Sequence, residues 1–173
     1  ADISTFSFHP LKTITTAEGG IVTTNSKKIF KSLKLLRSLG LDRRKYHWKY
    51  DIKNYGLNFR LNELQSALGI SQLKKINLFI SKRKKIYKLY RKELKNIPGL
   101  SFPNYSKKYF SSYHLCLMKI NASKFKYKEQ FIRYMLKNKI MIQFHYIPIY
   151  KFSIIKKKTN MFGAEKYFNS VIS

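Results

Sequence analysis

The sequence predicts an α/β fold, and three observations carry that prediction. Short β-branched and aromatic runs recur along the 173 residues, apolar residues at helical spacing separate them, and one amphipathic stretch is far longer than an ordinary helix. Strand–helix–strand order of this kind argues for α/β or α+β architecture. A chain of this length holds one domain with a real core, or pieces of two.

Each element follows from its local pattern. Residues 3–8, ISTFSF, are β-branched and aromatic and predict a buried strand, and GGIVTT (19–24) predicts a second after a loop that contains Lys12. Asn25 or Ser26 then caps a helix reaching about Ser38, with Ile29, Leu33 and Leu36 on one face and Gly40 as its stop. From 41 to 59 the chain is polar, aromatic and irregular, which predicts a long loop, and loops of that length usually carry function. A helical pattern runs from about Leu61 to Ile97 and ends at Pro98-Gly99. Its apolar phase slips at 82–85, predicting a bend there, and so long a helix commonly bridges two lobes. Beyond it, SYHLCLMKI (112–120) predicts a strand, 124–138 an amphipathic helix, IMIQFHY (140–146) a strand, and AEKYFNSVIS (164–173) a last helix.

Composition narrows the function classes. Hydrophobic residues make up 44% and aromatics 16%, so the chain is globular. No window resembles a membrane span, and ADISTFSFHP lacks the basic and apolar regions of a signal peptide. Cys116 is the single cysteine, which excludes an internal disulfide and fits a reducing cytoplasm. The net charge of +28 suggests a nucleic-acid or anionic-membrane partner. However, lysine far outnumbers arginine and arrives with Ile, Asn, Tyr and Phe, residues of A/T-rich codons. The lysines are spread rather than gathered in one stripe. Composition bias therefore explains the charge better, and neither nucleic acid nor membrane is expected as a partner.

Chemistry-bearing motifs are few. There is no P-loop lysine motif, no G-x-G-x-x-G and no Cys/His pattern with zinc spacing, so no metal site is expected. His9, His47, His114 and His145 are scattered, and carboxylates are scarce. Lys12 stands apart by its surroundings. Phe6, Phe8 and Pro10 offer an apolar wall, Gly19 and Gly20 permit a tight turn, and Ser7, Thr13, Thr15 and Thr16 bring hydroxyls suited to a phosphate. An amine acts as a nucleophile only when neutral, and burial or nearby cations favour that form. A rigid amine beside a phosphate cradle is what pyridoxal phosphate requires. A surface turn that happens to hold a lysine is the plainer reading of the same residues.

SFHPLKTITTAEGGIVTT (7–24) resembles the lysine segment of the DegT/StrS family of sugar-nucleotide aminotransferases. GLNFRLNELQSALGISQLKKI (56–76) resembles the family's second signature and FHYIPIY (144–150) its third, in family order and spacing. The resemblance spans nearly the whole chain. It implies an α/β, fold-type-I PLP-dependent transferase of the aspartate aminotransferase kind. Residues 1–70 would be the C-terminal edge of the large domain, and 71–173 the bridging helix and an incomplete small domain.

The resemblance also implies roles. Lys12 matches the lysine that holds pyridoxal 5'-phosphate as a Schiff base and shuttles the proton. Ser7 matches a serine that binds the cofactor phosphate. Asn58 matches an asparagine that reaches that phosphate from the other subunit of a homodimer, so the active site would be shared. His145 and Tyr146 fall in the segment that lines the nucleotide-sugar pocket, and Arg60 would brace its loop or meet an anionic ligand. For these three, packing is the alternative. Lys12 rather than histidine points to transamination instead of the dehydration of a related branch.

NFRLNELQSALG and HYIPIY, with Tyr150 where many relatives carry histidine, look most like the branch serving pseudaminic acid synthesis. That branch aminates C4 of a UDP-linked 4-keto-6-deoxy sugar with glutamate as donor. Leu39 stands where relatives often have histidine, which puts a substrate contact there in doubt. The family's Gly/Thr phosphate loop, ring-stacking aromatic and pyridine-pairing aspartate have no counterpart here. The chain thus reads as lacking an N-terminal half and the extreme C-terminus, and these residues alone are expected to show no useful activity. A basic RNA- or DNA-binding domain, whose affinity would ignore Lys12, is the rival from another class. A relative acting on a different keto sugar, or binding cofactor without catalysis, is the rival within the family.

Overall fold

The computed structural model describes residues 1–43, 48–104, 106, 108–121, 128–156 and 159–173. The chain divides into two compact units, Ala1–Phe79 and Ile80–Ser173.

The first unit opens with strands β1 (Ser4–Ser7) and β2 (Gly20–Thr23), which pair antiparallel with Ser4 opposite Thr23 and Ser7 opposite Gly20. Helix α1 (Lys27–Arg37) follows, and Ser26 caps it by accepting a hydrogen bond from the Ile29 N–H at 3.4 Å. Its end is closed by the Leu35 carbonyl, which accepts from Ser38 and from Gly40, whose φ of 69° is the left-handed conformation that glycine tolerates.

The 41–59 stretch is not the structureless loop its composition predicts. It contains a short antiparallel hairpin, β3 (Leu41–Arg43) and β4 (Tyr50–Ile52), and then returns alongside the end of α1. Helix α2 (Glu63–Leu73) starts with a capping box. Asn62 accepts from the Gln65 N–H at 2.8 Å, and the Gln65 side-chain oxygen accepts from the Asn62 N–H at 3.3 Å. Helix α3 (Ile76–Leu94) begins after a two-residue step, so the predicted single helix is broken at Lys74–Lys75 and is continuous through 82–85, where the bend was expected.

The second unit centres on a three-stranded antiparallel sheet in the order β5 (Leu100–Ser101), β6 (Met118–Ile120), β7 (Val171–Ile172). Ile120, Val171 and Ile172 are buried there, and Tyr87 of α3 is buried with its ring edge-on to Phe102 at 5.8 Å and tilted against Tyr113 at 5.1 Å. Three expectations are corrected. Of 112–120 only 118–120 is a strand, since Tyr113 has φ of 51° and breaks the extended run. Of 140–146 only Phe144 makes a bridge, to Ile172. The last helix, α5 (Phe162–Ser170), gives way to β7, because Val171 and Ile172 are β-branched and pair with β6. Helix α4 spans Lys128–Lys137, and the predicted start at 124 lies outside the described residues, as does His47.

Candidate active site

The loop from Phe8 to Gly19 carries Lys12, and it is pinned along its length. The Phe8 N–H donates to Gly19 O at 2.9 Å. The Phe8 carbonyl accepts from the Thr16 N–H at 3.0 Å and from Thr15 Oγ1 at 2.9 Å. Thr16 Oγ1 donates to Glu18 O at 2.8 Å, and that same carbonyl accepts from Gln65 Nε2 of α2 at 3.0 Å. The Lys12 N–H donates to His9 O at 2.9 Å, closing a turn whose lysine side chain is half-buried. Gly19, at φ of 146°, has no room for a Cβ, which would fall 2.6 Å from Thr16 Oγ1 and 2.7 Å from Leu61 Cδ1.

This geometry revises the hydroxyl cradle read from the sequence. The Thr15 and Thr16 hydroxyl protons are committed to backbone carbonyls, so these two residues brace the loop. Ser7 differs. Its Oγ accepts from the His9 N–H at 3.3 Å, and among the described residues its own proton is left for another acceptor. The apolar wall is also thinner than expected, with Phe6 55% exposed, Pro10 exposed and Phe8 half-buried. A primary amine on a braced loop and a hydroxyl donor at the end of the strand before it are the nucleophile and the donor that pyridoxal phosphate needs for its aldehyde and its phosphate.

Asn58 and Arg60 lie on a segment that zips onto the end of α1. Leu57 N–H donates to Leu36 O at 3.0 Å, Leu39 N–H to Leu57 O at 3.1 Å, and Phe59 N–H to Arg37 O at 2.9 Å, which sets Asn58 opposite Ser38. Both Asn58 and Arg60 are exposed. Arg60 borders a mostly apolar cavity of about 730 Å³ that is also lined by Phe8, Gly19, Phe30 and Phe59. On another side it borders a cavity of about 880 Å³ together with Lys31, Lys34, Arg37 and Arg43. The sequence reading missed this gathering of cations. Lysines there looked dispersed, yet Lys31 and Lys34 of α1 share a concave surface with three arginines. The scarcity of arginine was the available signal.

In the second unit, His145 is buried and its Nε2 pairs with the Ser173 hydroxyl, while Nδ1 has no hydrogen-bond partner among the described residues. Burial holds its imidazole pKa below the ordinary value. The Tyr146 ring meets the imidazole edge-on at 4.7 Å and is itself 68% exposed. Tyr150 donates to Glu165 Oε1 at 3.4 Å. Lys151 Nζ lies 2.7 Å from Glu165 Oε2, and that hydrogen bond, the largest influence, pulls the Glu165 carboxyl pKa down. The structure therefore places Ser7 at the end of β1, directly before the loop that carries Lys12, and Asn58 with Arg60 on one segment of the first unit, and places His145 and Tyr146 in the second.

A hairpin whose loop presents a braced lysine, followed by an asparagine-arginine segment and a capped helix, defines a class. The profile of the DegT/DnrJ/EryC1/StrS aminotransferase family matches residues 1–173, and the chain belongs to that family. Among individual relatives, it is 36% identical to the UDP-4-amino-4,6-dideoxy-N-acetyl-beta-L-altrosamine transaminase of Campylobacter jejuni subsp. jejuni serotype O:23/36, over 100% of this chain and 46% of the relative. It is 37% identical to the Helicobacter pylori protein of the same name, over 98% of this chain and 46% of the relative. The solved structure of Helicobacter pylori PseC, an aminotransferase involved in the biosynthesis of pseudoaminic acid, superposes with a TM-score of 0.93 at 36% identity, covering 100% of this chain and 47% of that one. The fold is that of fold-type-I sugar aminotransferases, as expected. The chain spans about half the length of the curated relatives it matches.

Proposed function

We propose that the protein to which these residues belong is a pyridoxal-phosphate-dependent transaminase. It moves an amino group from glutamate to C4 of a UDP-linked 4-keto-6-deoxy sugar, in the synthesis of pseudaminic acid or a related surface glycan. The observation that carries this reading is Lys12 on a loop braced at Phe8, Thr16 and Gly19, in a chain whose relatives are named for that reaction. When bound, the cofactor supplies an electron sink at its ring.

This chain's residues supply the rest. Lys12 Nζ would hold the cofactor covalently, and as a free amine during turnover it would carry the proton that the exchange requires. The loop's bracing keeps the amine from wandering. Ser7 Oγ would donate to the cofactor phosphate, its proton having no acceptor among the described residues. Asn58, held exposed by its ladder with α1, serves the phosphate in a second copy, which makes the protein a homodimer with shared sites. Residues 1–70 act as the edge of the cofactor-binding domain and 71–173 as the bridging helix with the small domain. A cytoplasmic enzyme fits nucleotide-sugar substrates.

The test uses the full-length protein. Lys12→Ala is expected to remove both the visible absorbance of the bound cofactor and amination of a UDP-4-keto sugar, and borohydride reduction of the unaltered protein is expected to leave the tag on Lys12. Amination that survives Lys12→Ala overturns the reading. So does a protein that shows only salt-sensitive RNA or DNA binding and no amination.

A further inference from the structure

We propose that Glu165 is a positioning residue: with Tyr150 and Lys151 it pins the 146–149 segment in the arrangement that receives the nucleotide sugar. The proposal rests on the transaminase reading above and adds a residue to it. The stretch 143–151 is gripped at both ends by one continuous element, α5 with β7. At its start, Gln143 and Ser173 exchange backbone hydrogen bonds at 2.9 and 3.0 Å, Phe144 bridges Ile172, and His145 Nε2 meets the Ser173 hydroxyl. Its far end is a 3-10 turn, Ile149–Lys151, in which the Lys151 N–H donates to Pro148 O at 2.8 Å and the Phe152 N–H to Ile149 O at 3.1 Å. From that turn two side chains reach α5. Lys151 Nζ donates to Glu165 Oε2 at 2.7 Å, and the Tyr150 hydroxyl lies 3.4 Å from both Glu165 Oε1 and Met161 O. The two carboxylate oxygens are thus divided between two neighbouring residues of the arm. Between the grips Tyr146, Ile147 and Ile149 are exposed, and Pro148 is buried.

Two simpler explanations fall short. The helix dipole favours an acid in the first turn of α5, where Glu165 sits. A dipole does not, however, draw in side chains from a turn fourteen and fifteen residues away. Chance pairing is the other explanation, since any carboxylate in a chain with 36 Lys+Arg and 8 Asp+Glu meets a lysine easily. It leaves unexplained why the neighbouring Tyr150 turns its hydroxyl to the same group. Glu165 is half-buried and Lys151 exposed, and a pair so placed contributes little to global stability. Its effect is local: it fixes the turn, and so the exposed residues between the two grips. Ordering a binding segment in advance removes part of the entropy cost of association, so loosening it is expected to act on KM before kcat. The Lys151 hydrogen bond also draws the Glu165 carboxyl pKa down, which keeps the pin ionised at neutral pH.

Hydrogen exchange and steady-state kinetics on the full-length holoenzyme test the assignment, with Glu165→Ala as the first variant. Glu165→Gln, which keeps an oxygen acceptor, is the milder second. Retained cofactor absorbance reports that each variant is folded. In the Ala variant, exchange across 146–152 is expected to quicken roughly three- to tenfold, the scale of one partly exposed ion pair and one neutral hydrogen bond. Exchange in β6 and β7 is expected to hold. KM for the UDP-keto sugar is expected to rise by a similar factor with kcat kept, and the Gln variant is expected to fall between. Conversion of the cofactor by glutamate alone is expected to be unchanged, because no nucleotide sugar takes part in it. Faster exchange with an unaltered KM overturns the positioning role. So does a loss shared equally by the glutamate step, which is the mark of a merely structural residue. Exchange unchanged in both variants overturns the pin itself, and in all three cases the transaminase reading stands. If the unaltered protein aminates no UDP-keto sugar while exchange quickens as expected, the pin is supported and the functional reading is overturned instead.

Discussion

Thr16 fills the space that Gly69 leaves open: a Cβ at position 69 would lie 2.9 Å from Thr16 Cγ2. Thr16 is 1% exposed, and its hydroxyl is held by Glu18 O, so its methyl cannot turn away freely. The contact docks α2 against the lysine loop, and the Gln65–Glu18 hydrogen bond fixes the same join.

Gly69→Ala therefore sets two effects against each other. Alanine favours helix over glycine by about 1 kcal/mol, while overpacking a tight site costs about 1–3 kcal/mol. At this separation the crowding is expected to win, lowering stability and loosening Lys12. Thr16→Ser removes the methyl and keeps the hydroxyl, so Thr16→Ser/Gly69→Ala is expected to recover most of the loss. Denaturant unfolding of the four proteins as a double-mutant cycle measures the coupling. Additive effects would mean that the two residues do not share the space.

Gly40 makes a second prediction, about the segment that carries Asn58. A Cβ there would overlap the Asn54 carbonyl, and the residue sits at φ of 69°, which costs a side-chain-bearing residue about 1–2 kcal/mol. The Gly40 N–H also closes α1 on Leu35 O, and its carbonyl accepts from Lys53. Gly40→Ala is expected to open the 53–59 segment that returns along the end of α1. Limited proteolysis of the full-length protein should then cut between β4 and Asn58 faster than in the unaltered protein. An unchanged cutting pattern would show that the backbone there absorbs a side chain.

Much of this arrangement was legible in the sequence, for definite reasons. Ser26 and Gly40 are cap and stop residues whose side chain or conformation acts locally, so their positions alone located the ends of α1, whereas the Asn62–Gln65 capping box that starts α2 is a local signal the sequence reading passed over. The tight turn of the lysine loop was legible from Gly19 and Gly20, but its threonines were misread as a phosphate cradle, because their bonds to the Phe8 and Glu18 carbonyls depend on how the loop folds back. The break at Lys74–Lys75 was not legible. No Gly or Pro marks it, and the step is made by short backbone bonds, Lys75 N–H to Gln72 O at 3.0 Å and Lys74 N–H to Ile70 O at 3.2 Å. The phase slip at 82–85 misled because the buried residue of α3 is Tyr87, so the surrounding apolar phase carries little packing. Val171 and Ile172 were hidden for the opposite reason. Their pairing partner, β6, lies some fifty residues earlier, and no local pattern reports a long-range ladder. The cation cavity escaped because it is assembled across segments whose spacing in sequence is irregular.

His145 makes the last prediction, in pH. Its folded-state pKa is lowered by burial, so the unfolded chain takes up the proton more readily than the folded one. The contribution of the neutral imidazole is fully present above the unfolded value of about 6.5. It is lost as pH falls from there through the depressed folded value. The Nε2 link to the Ser173 hydroxyl stays in place while the ring is neutral, and it secures the bridge between Phe144 and Ile172 beside it. His145→Gln is expected to flatten that acid slope, because an amide does not titrate. Ser173→Ala is expected to keep the slope and to lower stability at neutral pH by about 1–3 kcal/mol, since it leaves a buried ring nitrogen without its partner. Thermal unfolding followed across mildly acidic pH separates the two variants. If His145→Gln keeps the full slope of the unaltered protein, some other group titrates, and the imidazole is not the one that senses pH.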